Sequence, residues 1–124
     1  MIGKGARLTE ALGWCNYGKR TMIIVMGYLQ LANGGAALMR SAIVLVVRAT
    51  RAEAGCDHYA IAADVEDADR LHISERWIDQ AALGTHLVTD HVVDFQVAMR
   101  RTRIIKAAVH VYHPDGTIRR LINI

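Results

Sequence analysis

The apolar positions of this chain fall into blocks whose spacing changes from one block to the next, and the changes predict its elements. Met22–Leu31 (MIIVMGYLQL) is rich in β-favouring residues, and its central apolar run suits a buried strand. Asn33-Gly34-Gly35 interrupts the run and can lead into a helix. In Ala36–Glu53 two signals compete. Ile43–Val47 alone reads as a strand because it is β-branched. Yet Arg40, Ser41, Val44, Arg48 and Arg51 recur at helical spacing opposite Leu38, Met39, Ala42, Leu45, Val46 and Ala49. The block exceeds a normal strand and Gly55 supplies a C′ stop, so a helix is predicted, with Val44 and Val47 its least hidden apolar residues.

Cys56–Ala63 is a half-polar strand, Asp64–Asp69 an acidic turn and Arg70–Ile78 a second strand. Asp79 and Thr89 then look like caps of two short helical pieces, the first being Gln80–Leu87. Arg103–His113 alternates loosely as a long strand, Pro114-Asp115-Gly116 marks a turn, and Thr117–Ile124 returns as a short terminal strand. This order gives an α+β fold: a ferredoxin-like βαββαβ antiparallel sheet with its helices on one face. Two helical segments cover only one face. The other is expected to carry apolar residues such as Ile105, Ala107, Val109 and Val111, a patch that soluble monomers avoid. Packing two sheets face to face would hide it, which predicts a homodimer through the sheet face.

Residues 1–20 read differently. Glycines stand at 3, 5, 13 and 18, and only Ala6–Trp14 has a brief helical pattern. Residues 1–21 are therefore expected to form a loosely attached extension, and residues 22–124 the domain. Limited proteolysis that leaves a folded fragment from about Met22 supports this division; protection of the segment sinks it.

Composition narrows the classes. At 124 residues, 52% hydrophobic and 22% charged, the chain is one folded domain. A net charge of +3 does not argue for nucleic acid, and the basic residues Lys4, Arg7, Lys19 and Arg20 read as a solvated tail. The longest apolar run, Ala42–Val47, lies between Arg40 and Arg48, far short of a membrane span. Cys15 and Cys56 make no disulfide framework, and residues 1–20 lack a signal-peptide core, so a reducing cytoplasmic setting is expected. No metal is expected either. His110 and His113 point to opposite sides of a strand, His86 and His91 straddle a helix break, and the acidic turn lacks a calcium-loop pattern. Gly3-x-Gly5 has no preceding strand and no third glycine, so it is not a phosphate loop.

Glu53-x-Gly55-Cys56-x-x-Tyr59, Glu75-Arg76-Trp77, Ala81-Ala82-Leu83 and His86-Leu87 follow one another in an order that resembles the antibiotic biosynthesis monooxygenase (ABM) superfamily. These are small dimeric α+β barrels that include quinol monooxygenases, and the similarity spans roughly Met22 to Ile124. The resemblance implies a pocket between sheet and helices. It also implies cofactor-free oxidation of a quinol, phenol or aromatic polyketide-type substrate by O₂. In a related haem-degrading branch, the ligating His would fall near Gln96 and a strand-one Asn at Gly27, so that chemistry does not carry over.

Such oxygenation needs a dry pocket, a base and groups that hold the anion. His86 is the expected base, against the plainer reading of a helix-surface histidine. Glu75 would be a second base or the orienter of His86, or else the ion-pair partner of Arg48 or Arg76. Trp77 would form the wall, or simply core. Tyr59 would offer its hydroxyl, or pack with a wet tip; His91 and Tyr28 complete the candidate substrate-binding set. His72 should face away from Trp77 and serve structure. Two other functions fit the same residues: a non-catalytic dimer binding a small aromatic ligand, and a non-oxidative isomerase or dehydratase.

Overall fold

A computed structural model describes residues 21–122. The expected extension, with its helical pattern and basic cluster, lies outside the described residues apart from Thr21. That residue donates its hydroxyl to the carbonyl of Ile78 at 2.9 Å.

Five strands and three helices make up the described residues: β1 (Ile23–Leu31), α1 (Gly35–Arg51), β2 (Cys56–Ala63), β3 (Arg70–Trp77), α2 (Gln80–Leu87), α3 (Asp90–Arg100), β4 (Ile104–Tyr112) and β5 (Ile118–Arg120). The sheet is antiparallel throughout in the order β2-β3-β1-β4-β5. This is the α+β, ferredoxin-like arrangement expected, with β5 added at the β4 edge.

Because strand side chains alternate, register fixes which residues meet the helices. Val25 lies opposite Glu75 and Val111, and Ile23 opposite Trp77, so odd-numbered positions share the helix-facing side. Ile23, Val25, Leu29, Leu71, Ile73, Trp77, Val109 and Val111 form the core there with Met39 and Val46 of α1. Burying a side chain of this size is worth about 1.5–3 kcal/mol each, so this face carries most of the fold's stability.

Register also overturns three of the four residues expected on the open face, while Ile105, beyond the irregularity in the β1–β4 pairing, is exposed. Ala107, Val109 and Val111 point toward the helices, not away from them. The opposite face is mixed, with exposed Met26, Tyr112 and Ile118 beside Arg70, His72, Lys106 and Arg120. Alternation along β4 sends its best apolar positions inward, which leaves this face less apolar than the sequence suggested.

Helix α1 forms as predicted, but its buried stripe is rotated. Gly35, Met39, Val46 and Thr50 are buried and Val47 packs on the core, whereas Leu38 and Leu45 are exposed. Each residue turns the helix by about 100°, so Leu38 and Leu45, seven apart, share the solvent side. Nor does Gly55 act as a left-handed stop: α1 ends at Arg51, and the positive-φ glycines are Gly27, Gly34 and Gly116. Gly55 serves close packing instead, since a Cβ there would stand 2.3 Å from the Cβ of Ala82 in α2. At Gly27 a Cβ would lie 1.9 Å from the Ala108 carbonyl oxygen, so no larger residue fits the β1–β4 seam.

The acidic turn also braces a helix. Asp69 accepts from the backbone N–H groups of Gly34 (3.0 Å) and Ala36 (3.1 Å), capping α1 from another part of the chain. Gly34 has no side chain to do so.

Candidate functional site

The odd-numbered face places Tyr59, Glu75 and Trp77 under the helices, with Tyr59 directly opposite Glu75. Two chain reversals complete the group. Glu53 sits in the turn after α1, His86 in the last turn of α2, and His91 in the first turn of α3. Both helices are capped at their N-termini. Asp79 caps α2 by accepting from Ala82 N–H at 2.8 Å, and Thr89 donates its hydroxyl to the His86 carbonyl at 2.7 Å while capping α3. These bonds fix the ends of the helices that carry the two histidines.

The rings converge on one carboxylate. Glu53 Oε2 lies 2.7 Å from His86 Nδ1 and 2.9 Å from His91 Nε2. An ionised carboxylate only accepts, so each imidazole presents an N–H to it. His86 is 3% exposed, and its ring centroid lies 4.6 Å from that of Trp77 and 5.5 Å, edge-on, from that of Tyr59. Trp77 is fully buried and donates its indole N–H to Glu75 Oε1 at 2.9 Å. Glu75 therefore bonds Trp77 rather than an arginine, and the residue that orients His86 is Glu53 rather than Glu75.

Burial shapes the electrostatics. Desolvation pushes the Glu75 carboxyl up to about 7, against the stabilising Trp77 hydrogen bond and reinforced by the nearby charge of Glu53. His86 is held below the ordinary histidine range, because desolvation of its cation outweighs the hydrogen bond and charge of Glu53. Tyr59 is raised well above the usual phenol range, first by burial and then by Glu75. Beside it the fully buried Thr50 hydroxyl interacts with the phenol and offsets part of that rise. Burial, then Glu53 and Glu75, also raises the thiol of Cys56.

The structure thus gathers four of the expected residues, His86, His91, Trp77 and Tyr59, with Glu75 bonded to Trp77. Tyr28 is elsewhere: an even position of β1 puts it on the open face, with the Arg70 guanidinium 4.7 Å from its ring centre and Lys106 at 5.8 Å. His72 shares that face and bonds Asp64. A cleft of about 310 Å³ lined by Arg51, Cys56, Asp57, His58 and Tyr59 adjoins the cluster at Tyr59.

Glu53 was missed as a functional residue. Its sequence signal is faint but real, since it is the one acidic side chain between Gly34 and Cys56. Its partners lie 33 and 38 residues downstream, beyond any local spacing rule.

The model of the family described as antibiotic biosynthesis monooxygenase matches residues 22–98, a span that holds all of these cluster residues. No curated protein matches the chain. Several solved structures do. A conserved protein from Methanosarcina mazei superposes with a TM-score of 0.71 at 18% identity, covering 79% of this chain and 97% of its own. A candidate antibiotic biosynthesis monooxygenase from Deinococcus radiodurans gives 0.66 at 27% identity, covering 82% and 97%. A protein from Pseudomonas aeruginosa gives 0.68 at 26% identity, covering 75% and 93%.

Proposed function

We propose, from the premise that the chain belongs to the antibiotic biosynthesis monooxygenase family, that it is a monooxygenase of quinols, phenols or aromatic polyketide-type substrates. In this reading O₂ reacts directly with the ionised substrate and the protein requires no cofactor.

The observation that carries the proposal is the 2.7 Å bond between His86 Nδ1 and Glu53. Holding the proton on Nδ1 leaves the Nε2 lone pair as the basic atom, and the carboxylate stabilises the imidazolium formed when that nitrogen takes a proton. His86 removes a proton from the substrate hydroxyl. The resulting anion passes one electron to O₂, the two radicals combine to form a C–O bond, and the peroxide takes a proton back from His86. Loss of water then leaves a carbonyl, so that one oxygen atom enters product and the other leaves as water. Trp77 and the burial around His86 keep bulk water from the anion. Tyr59, lining the adjoining cleft, is the substrate-facing group. Glu75, neutral over much of the range below its raised pKa, is a proton donor held in place by Trp77.

Members of the family work as dimers, and we extend that to this chain. Exposed Met26, Tyr112 and Ile118 on the open sheet face favour a homodimer there. Sedimentation equilibrium at micromolar protein should give twice the chain mass.

Oxygen uptake against a panel of hydroquinones and anthrone-type phenols, with chelator present, tests the activity. Uptake that disappears in His86→Ala supports the reading. Saturable aromatic binding without uptake replaces it with a ligand-binding dimer, and product without oxygen consumption replaces it with a non-oxidative enzyme.

A further inference from the structure

We propose that Glu53, His86 and His91 form a binding site for a divalent transition-metal ion, and that an ion bound there turns His86 from a base into a hydrogen-bond donor. The site itself stands on geometry alone; its consequence for catalysis rests on the reading of His86 given above.

Three ligand atoms, Glu53 Oε2, His86 Nδ1 and His91 Nε2, lie within 4.8 Å of one another. They come from three separate parts of the chain, and both rings meet the same carboxylate oxygen, Glu53 Oε2. Two imidazoles and one carboxylate are the donor set of zinc and its first-row neighbours, whereas magnesium and calcium favour oxygen throughout. Metal–ligand bonds of about 2.0–2.1 Å in a tetrahedral site put neighbouring donors about 3.3 Å apart. The present separations of 2.7 and 2.9 Å therefore need to open by roughly half an ångström. Glu53 lies in a turn rather than within a helix, so its side chain can make that adjustment. Three protein ligands leave a fourth position for water or a ligand oxygen.

The consequence follows from the imidazole. Without metal, Nδ1 carries the proton donated to Glu53 and Nε2 carries the lone pair. With metal on Nδ1, the single proton of neutral His86 must sit on Nε2. Nothing is oxidised or reduced, and the proton only changes nitrogen. The basic atom of the ring packed beside Trp77 and Tyr59 becomes a donor.

The test uses the full chain without an affinity tag, freed of metal by chelator. Equilibrium dialysis should find one Zn²⁺ per chain, and Co²⁺ should give visible absorption bands that Zn²⁺ abolishes. Glu53→Gln and His91→Ala should each weaken binding by more than the roughly 10–100-fold that loss of an outer-shell partner costs. Circular dichroism and melting of the metal-free variants check folding. Glu53→Gln preserves side-chain shape, and His91 is only half-buried, so one decides if the other fails to fold. Nitrogen-15 NMR should show the His86 proton moving from Nδ1 to Nε2 on Zn²⁺ addition. No binding, or equal binding by both folded variants, overturns the site. An unmoved proton overturns the switch. None of these readouts needs turnover, so failure of the oxygenase reading would appear separately, as absent oxygen uptake by the metal-free protein.

Discussion

Two histidine–carboxylate pairs in this protein have the same length and different chemistry. His86 meets Glu53 and His72 meets Asp64, both at 2.7 Å. The side chains of the first pair are 4% and 16% exposed, those of the second 49% and 27%. In the first, desolvation prevails and His86 is held below its ordinary range despite its partner. In the second, Asp64 is solvated, and the His72 hydrogen bond draws its carboxyl below the usual range. Equal hydrogen-bond length does not make equal chemistry. A hydrogen bond near water substitutes for hydration already available, whereas under the helices it controls where a proton resides.

The strongest way to break this comparison is to remove each histidine in turn. His86→Ala should lower oxygen uptake by about 10²–10⁴-fold, the ordinary worth of a positioned base. His72→Ala should leave it within a few-fold; a comparable loss would mean that the exposed pair participates.

Trp77 bears on the buried side. Trp77→Ala should cost about 3–5 kcal/mol in urea unfolding, because it empties the centre of the core. Trp77→Phe should cost less, but it leaves Glu75 without its indole donor, on the order of 1–3 kcal/mol. A neutral Trp77→Phe would mean that the Glu75 bond is dispensable.

The two buried titrating groups should oppose one another in pH. Glu75 has its folded pKa raised from 4.5 to about 7, so its contribution is full at acid pH and is lost as pH rises through that window. Glu75→Gln should therefore stabilise the protein at pH 8 by on the order of 3 kcal/mol and change little near pH 4.5. His86 is depressed from 6.5, so its contribution is present above that value and is lost as pH falls. His86→Gln should flatten that acid limb. Unfolding midpoints that move together in both variants would show that the two groups titrate as one.

The smallest effect belongs to the exposed pair. His72→Ala should leave the urea midpoint unchanged within error, as for other solvated ion pairs. A clear loss would show that Asp64 and His72 brace the β2–β3 turn.

Much of the fold was legible in local pattern. Strand and helix order, the Asp79 and Thr89 caps and the Pro114-Asp115-Gly116 turn depend on neighbours a few residues apart. The turn closes with His113 N–H to Thr117 O at 2.9 Å and a left-handed Gly116. Ala36–Glu53 was read as a helix despite its β-branched centre because its period outlasted that signal. Of the site, the face shared by Glu75 and Trp77 follows from strand alternation, and His86 from its place in a recognisable order of motifs; Tyr59 joins that face only through the β2–β3 register.

Other features depended on which elements meet. Tyr28 stood in the candidate pocket set as a weaker member than Tyr59 until register placed it across the sheet. Leu38 and Leu45 belonged to an apolar stripe until α1 settled on a seam turned away from them. Glu53 had no visible function until a chain reversal brought it against two histidines 33 and 38 residues downstream. By itself the sequence determined the elements and their order, because hydrophobic period and capping act over a few residues. Only the tertiary structure decided which carboxylate orients His86, which face is dry and where three ligands converge. Burial and long-range contacts set those properties, and neither exists until the chain has folded.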